Sequence, residues 1–295
     1  MHASGTRTDR GLEAITLSVP PTPRSVIKRP HNENMLSWGS VMKEKGYDVK
    51  FLYGGYGYFD NMNYFFGHNG LRLSTGRTST GRTFISRTPG GCATKICFKR
   101  RWRSPTVLME QASFLHPHHD HFQSPSLYVS RRRESISLPI PGERGSQVRG
   151  LRPRAFLDAA RKKPWFDDTV FVVVADHCAS SAGKTALPVK RYEIPLHLFS
   201  RGHFPPQRID TLAGQIDIAP TVMGLLHFKY SSGFFGRDIL RERPGEARSL
   251  ISTYQKLGYM KDDRLAVLDV KREVSTYRFD RNTGEMTQIP PDPGA

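Results

Sequence analysis

With 295 residues, 37% of them hydrophobic, the chain has room for one sizeable α/β domain or one domain with appendages. No apolar run approaches the roughly 18–20 residues of a membrane helix, no apolar core of a signal peptide follows the first residues, and three cysteines (Cys92, Cys97, Cys178) are too few for a disulfide framework. The net charge of +17 suggests nucleic acid or an anionic membrane as partner, yet residues 71–154 alone carry sixteen Lys/Arg against four Asp/Glu, leaving the other 211 residues at only +5.

In chain order, residues 10–66 read as ordered protein. Residues 34–45 predict a short helix with Met35, Leu36, Trp38, Val41 and Met42 on its apolar side. A strand at Tyr47–Tyr53 follows, closed by Gly54-Gly55. Residues 59–66 (FDNMNYFF) predict an aromatic helical turn over a cleft. Residues 71–154 lack sustained period-2 or period-3.6 patterning, and their composition predicts a poorly ordered basic insertion.

Beyond it, residues 156–165 predict a helix, and the β-branched run 169–175 (TVFVVVA) predicts a strand buried on both faces of a parallel sheet. Residues 194–200 predict another strand. An acidic start and a proline in the first turn predict a helix over 217–226. Residues 265–269 and 274–278 alternate like paired strands, and the Pro/Gly-rich end reads as a loose tail. The expected organisation is 1–70, the basic segment 71–154, then 155–250, and a small β appendage with tail over 251–295.

Asp176 and His177, at the carboxyl end of that buried strand, carry the strongest chemical signal. Open α/β sheets place their sites there, and carboxylate plus neutral imidazole suits Zn2+ or Mn2+. A bare Asp-His dipeptide is nonetheless more often an ordinary strand-to-loop junction. The strings ADHCASSAGKTALPV, RYEIPLHLFS, QIDIAPTVMGLL and FFGRDIL, with the earlier GTRTDRGLEA and YGGYGYFD, decide between these readings. Over roughly residues 3–70 and 155–280 the chain resembles the lipoteichoic-acid-synthase-like phosphoglycerol transferases of the alkaline phosphatase/sulfatase superfamily.

The resemblance implies an α/β fold, a partial sulfatase-like sheet flanked by helices. It implies that Thr8 is the nucleophile attacking the phosphorus of a lipid-borne head group, and that Asp176, His177 and Thr8 hold a divalent metal, Mn2+ foremost, with Zn2+ or Mg2+ as alternatives. The partners it implies are a phospholipid head group and a glycan or polymer acceptor, with no nucleic acid. Family members are inner-membrane proteins with a periplasmic or extracellular catalytic domain, and this sequence shows neither signal nor anchor. No cysteine lies in the C/S-x-P-x-R context that formylglycine formation in sulfatases requires.

The family's upstream metal-binding glutamate and two substrate blocks do not appear in this sequence, which predicts an impaired copy. A shifted reading frame over about 71–154 accounts for the missing blocks. Residues 119–130 can be encoded so that a one-base shift reads TTTSNHRPYTYP, and residues 83–98 so that a two-base shift reads IHFANAWGVCDEDLF. On that reading the apparent metal cluster of His116, His118, His119, Asp120 and His121, and the basic run Arg131 to Arg133, are accidents of codon composition. Two other functions remain open at this level: a metal-dependent sulfatase or phosphodiesterase, and a non-enzymatic basic protein that binds anions through 71–154.

Overall fold

The computed structural model describes residues 1–53, 57–75, 94–100, 106–111, 157–158, 160–178, 187–201 and 203–290. Two compact units emerge. One comprises Met1–Val41, Ala175–Leu196 and Gln207–Ala295, the other Met42–Val174 and His197–Pro206.

The second unit is built on a mixed six-stranded sheet of order β2-β1-β3-β4-β5-β6. Its strands are β1 (Tyr47–Tyr53), β2 (Arg72–Thr75), β3 (Thr94–Arg100), β4 (Thr106–Gln111), β5 (Thr169–Val174) and β6 (Leu196–Phe199). β1 pairs in parallel with β2 and antiparallel with β3, placing Phe51 opposite Ile96. β4 runs antiparallel to β3 and parallel to β5, with Leu108 opposite Phe171. β5 is buried along nearly its whole length, as a β-branched run covered on both faces must be. Phe171 packs on Phe166 and Phe199, at ring centroid distances of 5.2 and 5.9 Å. β2, β3 and β4 come from the basic segment, where patterning predicts no strand. The histidine cluster, Arg131 to Arg133 and both re-encoded blocks except for β3 lie outside the described residues.

The aromatic turn is present as a short 3-10 turn, Phe59–Asn61, running into helix α3 (Met62–His68). Phe66 stacks on Phe51 of β1, with centroids 3.6 Å apart. The predicted helix 34–45 is shorter, α2 (Trp38–Glu44). Asn34 adopts φ 56°, incompatible with a helix, and Ser37 and Ser40 each accept the other's backbone N–H at 2.9 Å, which fixes the start. Met35 and Leu36 therefore precede the helix, and Leu36 is exposed. The predicted helix 156–165 also stops early: Leu157, Asp158 and Ala160 are helical and turns begin at Arg161. Pro164 disfavours the helical conformation at Lys163.

The first unit holds helix α1 (Thr8–Leu17), whose residues from Asp9 onward are buried, and a helix at Ile218–Leu225 entered through a 3-10 turn at Gln215–Asp217. It also holds an antiparallel five-stranded sheet of order β11-β10-β9-β8-β7. The strands are β7 (Arg248–Ser252), β8 (Leu257–Lys261), β9 (Arg264–Leu268), β10 (Val274–Phe279) and β11 (Met286–Ile289). The two alternating segments pair as expected, Val274 opposite Leu268. Among the described residues no helix is long and apolar enough to cross a membrane.

Candidate metal site at the start of helix α1

The residues leading into α1 are fixed by backbone pairing. The His2 amide donates to the Ala213 carbonyl and the Ala3 amide to the Tyr192 carbonyl, each at 2.8 Å. On the far side, Ser252 Oγ donates to the Ser4 carbonyl at 2.7 Å, tying this segment to β7. Arg7 takes the N-cap position in extended conformation with no side-chain cap, and Thr8, half-buried, is the first helical residue.

Asp176 follows β5 by two residues, and its backbone lies directly against α1. A Cβ placed on Gly11 would come 1.6 Å from the Asp176 carbonyl oxygen, so only glycine permits this approach. Residues three apart share a helix face. Thr8, one turn before Gly11, thus belongs to the face that meets Asp176. Gln215 braces both segments: its Oε1 accepts the Ser4 amide at 2.9 Å, and its Nε2 donates to the Ala175 and Asp176 carbonyls at 2.8 and 3.0 Å. At the other end of α1, Ser18 at φ 54° donates through Oγ to the Ile216 carbonyl at 2.6 Å and accepts the Gly236 amide at 3.0 Å.

The Asp176 carboxylate is buried, and its Oδ2 lies 3.9 Å from His177 Nε2. His177 Nδ1 sits 2.7 Å from the Cys178 carbonyl. A carbonyl partner requires the proton on Nδ1, which leaves the Nε2 lone pair on the side of the Asp176 carboxylate. Metal-binding histidines use this arrangement, donating one ring N–H to a carbonyl and presenting the other nitrogen to the ion. The donor chemistry of Asp176 and His177 therefore suits a divalent cation, and Thr8 lies on the helix face that meets them. No group of three or more His, Cys, Asp or Glu converges among the described residues. Cys178 is buried and in no disulfide, and its thiol donates to the Gly5 carbonyl at 3.7 Å.

Thr8, Asp176 and His177 are the three site residues expected from sequence, and they occupy one region of one unit. Gly11 and Gln215 stood inside the recognised strings without an assigned role. Glycine early in a helix costs about 1 kcal/mol relative to alanine, so its presence there was the signal that something approaches closely. Gln215 carried no comparable signal.

The family model described as Sulfatase matches residues 1–228. The chain belongs to the sulfatase family. Among solved structures, this sulfatase-family chain is similar over its whole length to a protein in the alkaline phosphatase superfamily from Vibrio parahaemolyticus, at 26% identity and a TM-score of 0.76, covering 73% of that chain. It is also similar to the lipoteichoic acid synthase LtaP from Listeria monocytogenes, at 15% identity and a TM-score of 0.64, over 99% of this chain and 77% of the other. The 2-O GAG sulfatase BT1596 matches over 99% of this chain and 80% of its own, at 14% identity and a TM-score of 0.58. Fold and superfamily are thus those expected from the sequence. It is an enzyme superfamily that generally depends on divalent metals.

Proposed function

We propose that this sulfatase-family chain carries phosphoglycerol-transferase chemistry at Thr8, with Asp176 and His177 as metal ligands, and that this copy works slowly. The observation that supports the reading is the packing of Gly11 against the Asp176 carbonyl, which brings the helix face bearing Thr8 to the Asp-His pair. A divalent metal, Mn2+ foremost, would lower the pKa of the Thr8 hydroxyl and neutralise charge on the transferred phosphoryl group. Thr8 Oγ forms a bond to phosphorus as the bond from phosphorus to the diacylglycerol oxygen breaks, and that oxygen leaves with the threonine proton. An acceptor hydroxyl on a glycan or polymer then displaces Thr8 and restores its hydroxyl. The donor is a phospholipid head group, so the reaction takes place at a membrane surface.

The low rate follows from a sparse ligand set, two side chains and a hydroxyl among the described residues. Incubating the chain with phosphatidylglycerol and Mn2+, then mapping peptides by mass spectrometry, tests the reading. The expected result is slow gain of one glycerol phosphate on the peptide bearing Thr8, absent in Thr8→Ala. An unmodified Thr8 with turnover of sulfate esters would instead assign the chain to hydrolysis.

A further inference from the structure

The side chain of Gln215 is fully buried, and both ends of its amide are used. Oε1 accepts the Ser4 amide at 2.9 Å, while the two protons of Nε2 go to the Ala175 and Asp176 carbonyls at 2.8 and 3.0 Å. Only this orientation serves all three groups, because the Ser4 N–H needs an acceptor and the two carbonyls need donors. The three groups belong to two segments with different duties. Ser4 stands four residues before Thr8 in the stretch that enters α1, and Ala175-Asp176 is the strand end that carries the Asp-His pair.

Gln215 is itself anchored from a third segment. It opens the 3-10 turn Gln215–Asp217, where Asp217 accepts the Gly214 amide through Oδ2 and the Arg237 amide through Oδ1, each at 2.9 Å. Thr221 Oγ1 donates to the Asp217 carbonyl at 2.6 Å and locks the turn onto the helix that follows. Two further contacts join the Thr8 segment to the Asp176 segment, and neither is a strong polar one. Gly11 packs on the Asp176 carbonyl without a hydrogen bond, and the Cys178 thiol, a weak donor, reaches the Gly5 carbonyl at 3.7 Å.

We propose that Gln215 is a positioning residue: its amide fixes the span between the segment bearing Thr8 and the strand end bearing Asp176, so that the threonine hydroxyl and the Asp-His pair address one ion. The proposal rests on the function given above. Gln215 touches main chain on both sides and none of the three site side chains, so its loss removes no donor from the site. It frees the hydroxyl to drift relative to the carboxylate, and a misplacement of about 1 Å is enough to cost a reacting group about a hundredfold in rate. Partners that orient metal ligands from behind contribute about 10–100-fold to affinity or activity.

A double-mutant cycle on the full chain tests this, with Mn2+ affinity read by EPR of the free ion. Gln215→Met keeps the volume and removes the amide. It is expected to weaken Mn2+ binding by about tenfold, as Thr8→Ala does, and the Gln215→Met/Thr8→Ala double variant is expected to bind no more weakly than either. Losses that simply add would mean that Gln215 acts on the fold and not through Thr8, and would overturn the proposal. Hydrogen exchange of peptides spanning residues 4–8 gives a second readout: Mn2+ should slow exchange there in wild type and not in Gln215→Met. Protection that persists in the variant is equally contrary. Should Gln215→Met not fold, Gln215→Glu takes its place, since it keeps the acceptor for the Ser4 amide and loses the donor to the carbonyls. If Thr8→Ala leaves Mn2+ binding unchanged, the role of Thr8 proposed above fails, and the exchange measurement alone decides that of Gln215.

Discussion

At the scale of single residues, His2 shows how burial sets a charge state. It lies between the 192–194 and 213–215 segments, and neither ring nitrogen has a hydrogen-bond partner. Burial, reinforced by the positive chain terminus, pushes its pKa down from 6.5 to about 4. Below about 6.5 the unfolded chain takes up a proton that the folded chain refuses. His2 therefore contributes stability that is present above pH 6.5 and is lost as pH falls through about 4. Burial has the opposite consequence for Glu13 and Asp217, whose raised pKa values give stability below the ordinary carboxylate range that is lost as pH rises. These terms oppose one another, so His2 is isolated by an NMR titration of its ring and by comparison with His2→Leu. The ring is expected to stay neutral down to about pH 4, and the stability of wild type relative to the variant to fall between pH 6.5 and 4. A ring that titrates near 6.5 contradicts the burial argument.

At the scale of elements, α1 matters because one face of it lies against the Asp176 loop. Gly11→Ala removes the intrinsic penalty of a helical glycine, about 1 kcal/mol, but sets a methyl group against a carbonyl oxygen that Gln215 holds in place. Overpacking of this kind costs about 1–3 kcal/mol, and a rigid backbone neighbour puts it at the upper end. The expected outcome is a lower urea midpoint together with weaker Mn2+ binding, because helix and loop must part. A variant as stable as wild type would show that the two are not in contact.

Elements whose own residues dictate them were legible in the sequence. The run at β5 and the alternation at β9 and β10 appear where predicted, and Asp176 was found through β5. β3 (TKICFKR) was not legible, because its three apolar residues lie between charges and its pairing with β1 comes from far along the chain. Helix ends were misjudged where a residue of unusual conformation intervened, such as Asn34. The close approach at Gly11 is a tertiary fact, visible beforehand only as a glycine that propensity does not favour.

At the scale of the whole molecule, two features lie in one unit. One is a sparse donor set at Thr8, Asp176 and His177, and the other a basic cavity on the flank of the first turn of α1, lined by Arg7, Arg10, Arg24, Lys28 and Arg29. The five-stranded sheet takes part in the arrangement: β7 ends at Ser252, which bonds the segment leading to Thr8, and the turn after it walls the cavity. The formal charge of the chain is concentrated in the basic segment, yet the cations that converge in the described structure come from elsewhere. The central claim is that Thr8, Asp176 and His177 act on a single metal ion. Titration of the full chain with Mn2+, followed by EPR of the free ion, tests it most directly. The account predicts one weak site, lost in Asp176→Ala and in His177→Ala and weakened in Thr8→Ala; binding indifferent to Asp176→Ala would contradict it, and a tight stoichiometric site would overturn the impaired ligand set.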